Sequence, residues 1–175
     1  MEKKWFVFYT KSRQEKKVNE LLLKRGFEPF LPMQAIVRQW SDRKKKVVVP
    51  LFNSYIFVRL EEHLISEVLQ LPGLSWNIRH NNKPAVLHSK ELETIQRFIT
   101  TGLLIETSSS SENYLLGDRV KILDGPLKGS SGYLTAFHNG HRFSLILSSI
   151  GQVITVEIDR SIVRKLTDKE LVMSV

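Results

Sequence analysis

Apolar and polar positions alternate along this chain in short blocks, and the blocks predict two modules of different kinds. Residues 5–10 are apolar or aromatic almost throughout, the pattern of a strand covered on both faces. Ser12-Arg13-Gln14-Glu15 has the spacing of a capping box, with serine at N-cap and glutamate at N3. The helix predicted after it carries Val18, Leu21 and Leu22 on one face and Lys16, Lys17, Glu20 and Lys24 on the other, and Gly26 closes it. A short strand at 27–31 stops at Pro32. A long hairpin follows: residues 35–40 climb, Ser41-Asp42-Arg43 turn, and residues 44–49 descend. A turn at 50–55 leads into the apolar run Ile56-Phe57-Val58. Residues 61–71 read as a helix with Leu64, Ile65 and Val68 inward, ended by Pro72-Gly73. Residues 74–79 form a strand, 80–82 a polar turn, and Ser89 caps a last helix with Leu92, Ile95 and Ile99 on one face. The order β-α-β-β-β-α-β-α predicts an α+β sandwich, helices packed on one face of a mostly antiparallel sheet.

The pattern changes after residue 100. Thr107-Ser108-Ser109-Ser110-Ser111-Glu112 offers nothing from which to build a core, so 106–113 is expected to be a flexible linker between domains at 1–105 and 114–175. The second domain opens on GDRVKILDGPLKGSSGYL, residues 117–134. Val120 and Ile122, with Leu123, supply β-prone apolar positions, and Arg119 and Lys121 alternate with them. Asp124-Gly125-Pro126 is a turn sequence, and Gly129 and Gly132 bracket the re-entry into a strand. Gly117, Gly125, Pro126, Gly129 and Gly132 at these offsets resemble the KOW motif of small SH3-like β-barrels in transcription and ribosomal proteins. His138-Asn139-Gly140-His141 gives a hairpin signal. About five short strands result, a number suited to a small closed barrel.

Charge and composition narrow the function classes. The net charge is +8, and residues 1–100 hold 18 Lys+Arg against 10 Asp+Glu, while residues 101–175 hold 8 against 8. The whole excess lies in the first module, where a basic face suits nucleic acid or an acidic protein surface. No cysteine is present, which removes disulfides and thiolate metal sites and makes a cytoplasmic location the default. No apolar run has the length of a membrane span, and none reads as a signal peptide. Phosphate loops, dinucleotide fingerprints and nucleophile elbows are absent from the sequence, and His138 and His141 lack a third ligand for a metal. No catalytic residue, metal or cofactor is assigned.

An α/β module, a polar linker and a KOW barrel in this order resemble the NusG family of transcription elongation factors. The opening WFVFYTKSRQEKKV (5–18) and the segment PLFNSYIFV (50–58) carry the resemblance. RQWSDRKKKVVVPLF (38–52) is most similar to the specialised UpxY-type antiterminators of capsular-polysaccharide operons, which are RfaH-like. The resemblance implies a fold: an N-terminal α/β sandwich of the NusG, RNP-like kind, joined by a flexible linker to an SH3-like β-barrel. It implies a monomer that works without catalysis, binding RNA polymerase on the tip of the clamp helices through an apolar depression. Carried over by position, Tyr9 and Phe52 would line that depression with Tyr55 beside it. Between Leu51 and polar Asn53-Ser54, Phe52 reads as an exposed aromatic at a surface edge. Trp5, Phe57 and Val58 read as core. Lys11, Arg13 and Lys16, at the start of the first helix, would contact non-template DNA. The barrel would recruit a partner such as a ribosomal protein or Rho. A KOW-bearing RNA-binding or ribosome-associated module is the alternative, and the neutral second domain weighs against it.

Overall fold

The computed structural model of the protein describes residues 2–109, 117–138, 140–167 and 170. The chain divides into two compact units, Met1–Ile95 and Gln96–Val175.

In the first unit, β1 (Lys4–Thr10) is central, as its unbroken apolar run predicts. It pairs antiparallel with β5 (Tyr55–Leu60) on one side, and β5 pairs in turn with β2 (Glu28–Phe30). On its other side β1 meets β6 (Leu74–Asn77) and, nearer its start, β9 (Val86–Leu87). Phe6 and Phe8 pack with Ile56, Val58 and Leu60 against Val18 and Leu22 of α1 (Glu15–Lys24) and Val68 of α2 (Ile65–Val68). Burial of such side chains contributes roughly 1.5–3 kcal/mol each. The helix predicted at 61–71 is shorter than its pattern, a 3-10 turn at Glu62–Leu64 followed by the single turn of α2. The strand predicted at 74–79 splits into β6 and β7 (Arg79–His80). β7 pairs with β8 (Lys83–Pro84) across Asn81 and Asn82, both at positive φ, the geometry of a tight hairpin turn. The helix α3 (Ser89–Thr100) runs across the division between the units.

The capping box does not form. Gln14 is the N-cap residue of α1 and makes no side-chain cap bond, and Ser12 and Arg13 lie in a turn before it. The Glu15 carboxylate instead accepts the buried backbone N–H of Ser54 at 2.8 Å. Water can satisfy an exposed helix end, but not a buried amide, so the long-range partner wins. The other end follows expectation: Gly26 and Phe27 donate their amides to the Leu23 and Leu22 carbonyls, a Schellman closure.

β3 (Met33–Gln39) and β4 (Lys44–Pro50) form the long hairpin, a two-stranded sheet of its own in register from Met33↔Pro50 to Gln39↔Lys44.

The second unit is a six-stranded antiparallel sheet. Its strands are β10 (Glu106–Ser109), β11 (Asp118–Ile122), β12 (Ser131–Phe137), β13 (Gly140–Leu147), β14 (Gln152–Ile158) and β15 (Val163–Lys165), in the order β10-β14-β13-β12-β11-β15. Among the described residues no pairing joins β10 to β15, so a closed barrel is not what the ladder records. Residues 106–109 of the expected linker are therefore a strand: Glu106↔Thr155 to Ser109↔Gln152 pair in register. Thr and Ser are compatible with an edge strand, whose outer side faces water. The rest of that expected linker, from residue 110, lies outside the described residues, as does Asn139 of the hairpin turn. Phe98 of α3 stacks on Phe143 of β13, with ring centres 6.3 Å apart. Leu123 is exposed, since β11 ends at Ile122.

The glycines of the 117–134 motif serve two purposes. Gly125 and Gly129 have φ of +83° and +87°, with open space where a Cβ would stand. Gly117 and Gly132 have ordinary φ and lie against neighbouring strands: a Cβ on Gly117 would come within 2.6 Å of the Leu134 carbonyl oxygen. Pro126 is exposed between the two classes, and Leu127 beside it is buried.

Among the described residues no helix is long and apolar enough to cross a membrane. Among them, too, no three His, Asp or Glu are grouped to hold a metal ion.

Candidate functional site

Strand register builds an aromatic strip at one end of the first sheet. Tyr9 on β1 stands opposite Tyr55 on β5 and opposite Trp76 on β6, so the three side chains share a face. Tyr9 and Trp76 stack with ring centres 4.5 Å apart and 8° between planes. Tyr9 and Tyr55 meet edge to face at 5.5 Å. Such pairs contribute about 0.5–1.5 kcal/mol beyond the area they bury. Tyr9 and Tyr55 are half-buried, whereas Trp76 keeps 54 % of its surface exposed.

Phe52 is not at the surface, contrary to the sequence expectation. It is 2 % exposed and packs edge to face on Phe57 at 6.2 Å and on Tyr55 at 6.5 Å. Its loop is tied down on both sides. Leu51 donates its N–H to the Pro32 carbonyl, Thr10 donates to the Ser54 carbonyl, and Ser54 donates to Glu15. These bonds fold the aromatic ring inward and leave Asn53 exposed. Phe52 is buried against Tyr55 of the strip, and Trp76 is the exposed aromatic that the sequence reading missed. Trp5, expected in the core, is half-buried against Phe30, while Phe57 and Val58 are fully buried as expected.

The anchoring role of Glu15 gives a first expected result. Glu15→Ala leaves the Ser54 amide buried without an acceptor, which costs about 1–3 kcal/mol in a thermal melt. Glu15→Gln keeps an acceptor oxygen and is expected to recover most of that loss; equal destabilisation by both variants would contradict the assignment.

The three predicted DNA-contacting cations separate into two groups. Lys11 and Arg13 are exposed on the turn that continues β1 beyond Tyr9, with the Lys11 amide bonded to the Gly73 carbonyl at 2.8 Å. They precede helix α1, so they do not form a cluster on its first turn. Lys16 is on the helix, and its Nζ donates to the Val48 carbonyl of β4 at 2.9 Å. That bond ties the hairpin base to α1 and gives Lys16 a structural partner.

The family model described as "Transcription termination factor nusG" matches residues 3–96, more than half of the chain. The chain belongs to the NusG family. It is 24 % identical to the transcription termination/antitermination protein NusG of Lactococcus lactis subsp. lactis, over 89 % of each chain. It is also 24 % identical to the protein of that name from Rickettsia prowazekii, over 93 % of this chain and 90 % of the other. A solved structure described as "Domain interaction in Thermotoga maritima NusG" matches with a TM-score of 0.57 at 20 % identity, covering 95 % of this chain and 99 % of that one. That match shows a shared fold, an N-terminal domain followed by a β-rich C-terminal domain. The protein is thus a NusG-like transcription termination/antitermination factor, of a family that is non-enzymatic.

Proposed function

We propose that this NusG-family protein binds RNA polymerase through the Tyr9–Tyr55–Trp76 strip and acts there to suppress pausing or termination. The observation that carries this reading is the strip itself. A half-exposed tryptophan stacked on a tyrosine, on a rigid sheet with Phe52 buried against Tyr55, is the kind of anchor that dominates protein interfaces. An apolar strip of this kind suits the tip of the clamp helices. Lys11 and Arg13, exposed two and four residues beyond Tyr9, would meet phosphates of non-template DNA. Lys16 contributes indirectly by holding the hairpin.

The mechanism needs no chemistry. A factor that binds the closed, elongating polymerase more tightly than the paused one shifts the population by that difference in affinity. The likeness of residues 38–52 to UpxY-type antiterminators supports a specialised operon set, such as capsular polysaccharide, and an RfaH-like rather than general role. The second unit, with its KOW-like glycines, serves as an SH3-like adaptor for a ribosomal protein or Rho. The protein acts in the cytoplasm as a monomer.

Binding to purified RNA polymerase tests the proposal. Trp76→Ala and Tyr9→Ala are each expected to weaken it by about 2 kcal/mol, roughly 30-fold. Trp76→Ala should lower the melting temperature only by the few degrees that loss of its stack on Tyr9 implies, because about half of its surface is already exposed. Unaltered affinity in both variants would place the anchor elsewhere.

A further inference from the structure

The β3–β4 hairpin carries chemistry that the polymerase-binding strip does not use. Between residues 38 and 46 it holds Arg38, Arg43, Lys44, Lys45 and Lys46 against a single acid, Asp42. Its tip is closed by the Trp40 N–H donating to the Arg43 carbonyl at 2.8 Å, so the turn is a defined one. Asp42 is 3.7 Å from Arg43, which offsets one of the five cations. Trp40 lies at this tip with 51 % of its surface exposed, and the Lys45 ammonium is 5.3 Å from its ring centre. Register places Lys44 and Lys46 on the face that also carries Val37 and Val48, both more than half exposed, while Arg38 and Lys45 lie on the other. Cations thus occupy both faces of one ribbon around a single indole. An exposed aromatic surrounded by cations on a narrow ribbon combines the two elements that hold unpaired nucleotides: a π-face for a base and positive charge along the backbone.

We propose that the hairpin tip is a binding site for single-stranded nucleic acid, with Trp40 as the stacking platform. A base stacked on the indole brings its phosphates toward Lys45, which lies over the ring, while Lys44 and Lys46 add positive charge from the other face of the ribbon. The requirement for an unpaired base follows from Trp40, since an indole stacks on a face that a continuous duplex keeps covered. The lysines alone would serve any polyanion. The Lys16 bond to the Val48 carbonyl holds the ribbon base, which fixes where the tip is presented.

The test uses the 175-residue chain without polymerase, so its failure is separate from failure of the polymerase reading. Labelled oligothymidine and oligouridine of about 12 nucleotides, within the usual span of single-strand sites, are compared by fluorescence anisotropy with a duplex of equal length. Both single strands are expected to bind more tightly than the duplex, and a preference between them identifies DNA or RNA as the source. Trp40→Ala should weaken binding about tenfold and Trp40→Phe much less, as loss of one stacked base requires. The double variant Lys45→Gln, Lys46→Gln should lower the slope of log affinity against log salt by about 0.7 per charge removed. Duplex binding tighter than either single strand would overturn the proposal. So would wild-type affinity in Trp40→Ala, or a loss confined to Lys11→Gln and Arg13→Gln.

Discussion

Phe52→Ala is expected to unfold the first unit at a markedly lower temperature, with a loss of about 3–5 kcal/mol. For a domain of this size each kcal/mol moves the midpoint by roughly 4–8 °C, so the shift should exceed about 10 °C. The reason is geometric. The ring is 2 % exposed, stands edge to face with both Phe57 and Tyr55, and lies under a loop held by the Ser54–Glu15 bond. Removing it leaves a cavity beside Phe57 and Tyr55, and the loop bonds restrict collapse into it. Phe52→Leu, which keeps most of the volume, should cost less than half as much. Calorimetry of the full chain reads both values. A melting curve for Phe52→Ala that overlays wild type would show that the ring is not needed in the core. The same argument makes Phe52→Ala a poor probe of polymerase binding, because its loss of binding would follow from loss of the domain. Trp76→Ala separates the two effects: it removes a ring that is already half exposed, at the smaller cost of its stack on Tyr9, and leaves Phe52 in place.

Where local pattern and tertiary structure agree, the fold was legible. β1 is apolar at nearly every position, so its central place in the sheet needed no knowledge of its partners. The hairpin was legible for the same reason, with β-prone runs on either side of Ser41-Asp42-Arg43. The errors arise where a distant partner decides. Ser12 and Glu15 have the right spacing for a capping box, but Glu15 is drawn to an amide 39 residues away. Residues 106–109 look like a linker, yet β14 offers an unpaired edge, and polar side chains suit the outer strand of a sheet. Trp76 escaped notice because strict alternation fails in β6: Leu74 and Asn77 are both buried, with Ser75 and Trp76 exposed between them. The register shift between Tyr9 and Thr10 accounts for this, since a bulge changes which side chains share a face. The extra residue is Ser75 of β6 itself, since Tyr9 pairs with Trp76 and Thr10 with Leu74, and no glycine or proline within 74–77 marks it.

Within the 117–134 motif, Gly132→Ala is expected to be far more damaging than Gly125→Ala. A Cβ on Gly132 would clash with the Ser144 carbonyl oxygen and stand 2.7 Å from the Phe143 ring. Neither can yield cheaply. Phe143 is fully buried and stacks on Phe98, and Ser144 is held on β13 by pairing with both neighbouring strands and by its hydroxyl contact with Thr155 at 2.8 Å. The cost should reach about 3 kcal/mol or more, the upper range for overpacking. Gly125 has open space around its Cα and only its φ of +83° to object, which costs an alanine about 1–2 kcal/mol. Asparagine separates the two causes. It tolerates the left-handed region better than alanine, so Gly125→Asn should be milder than Gly125→Ala. At Gly132 the larger side chain only adds to the clash, so Gly132→Asn should be worse than Gly132→Ala. Denaturant unfolding followed by the amide signals of β12 and β13 measures all four. If asparagine ranks the same way at both positions, these two glycines are retained for one reason and not two.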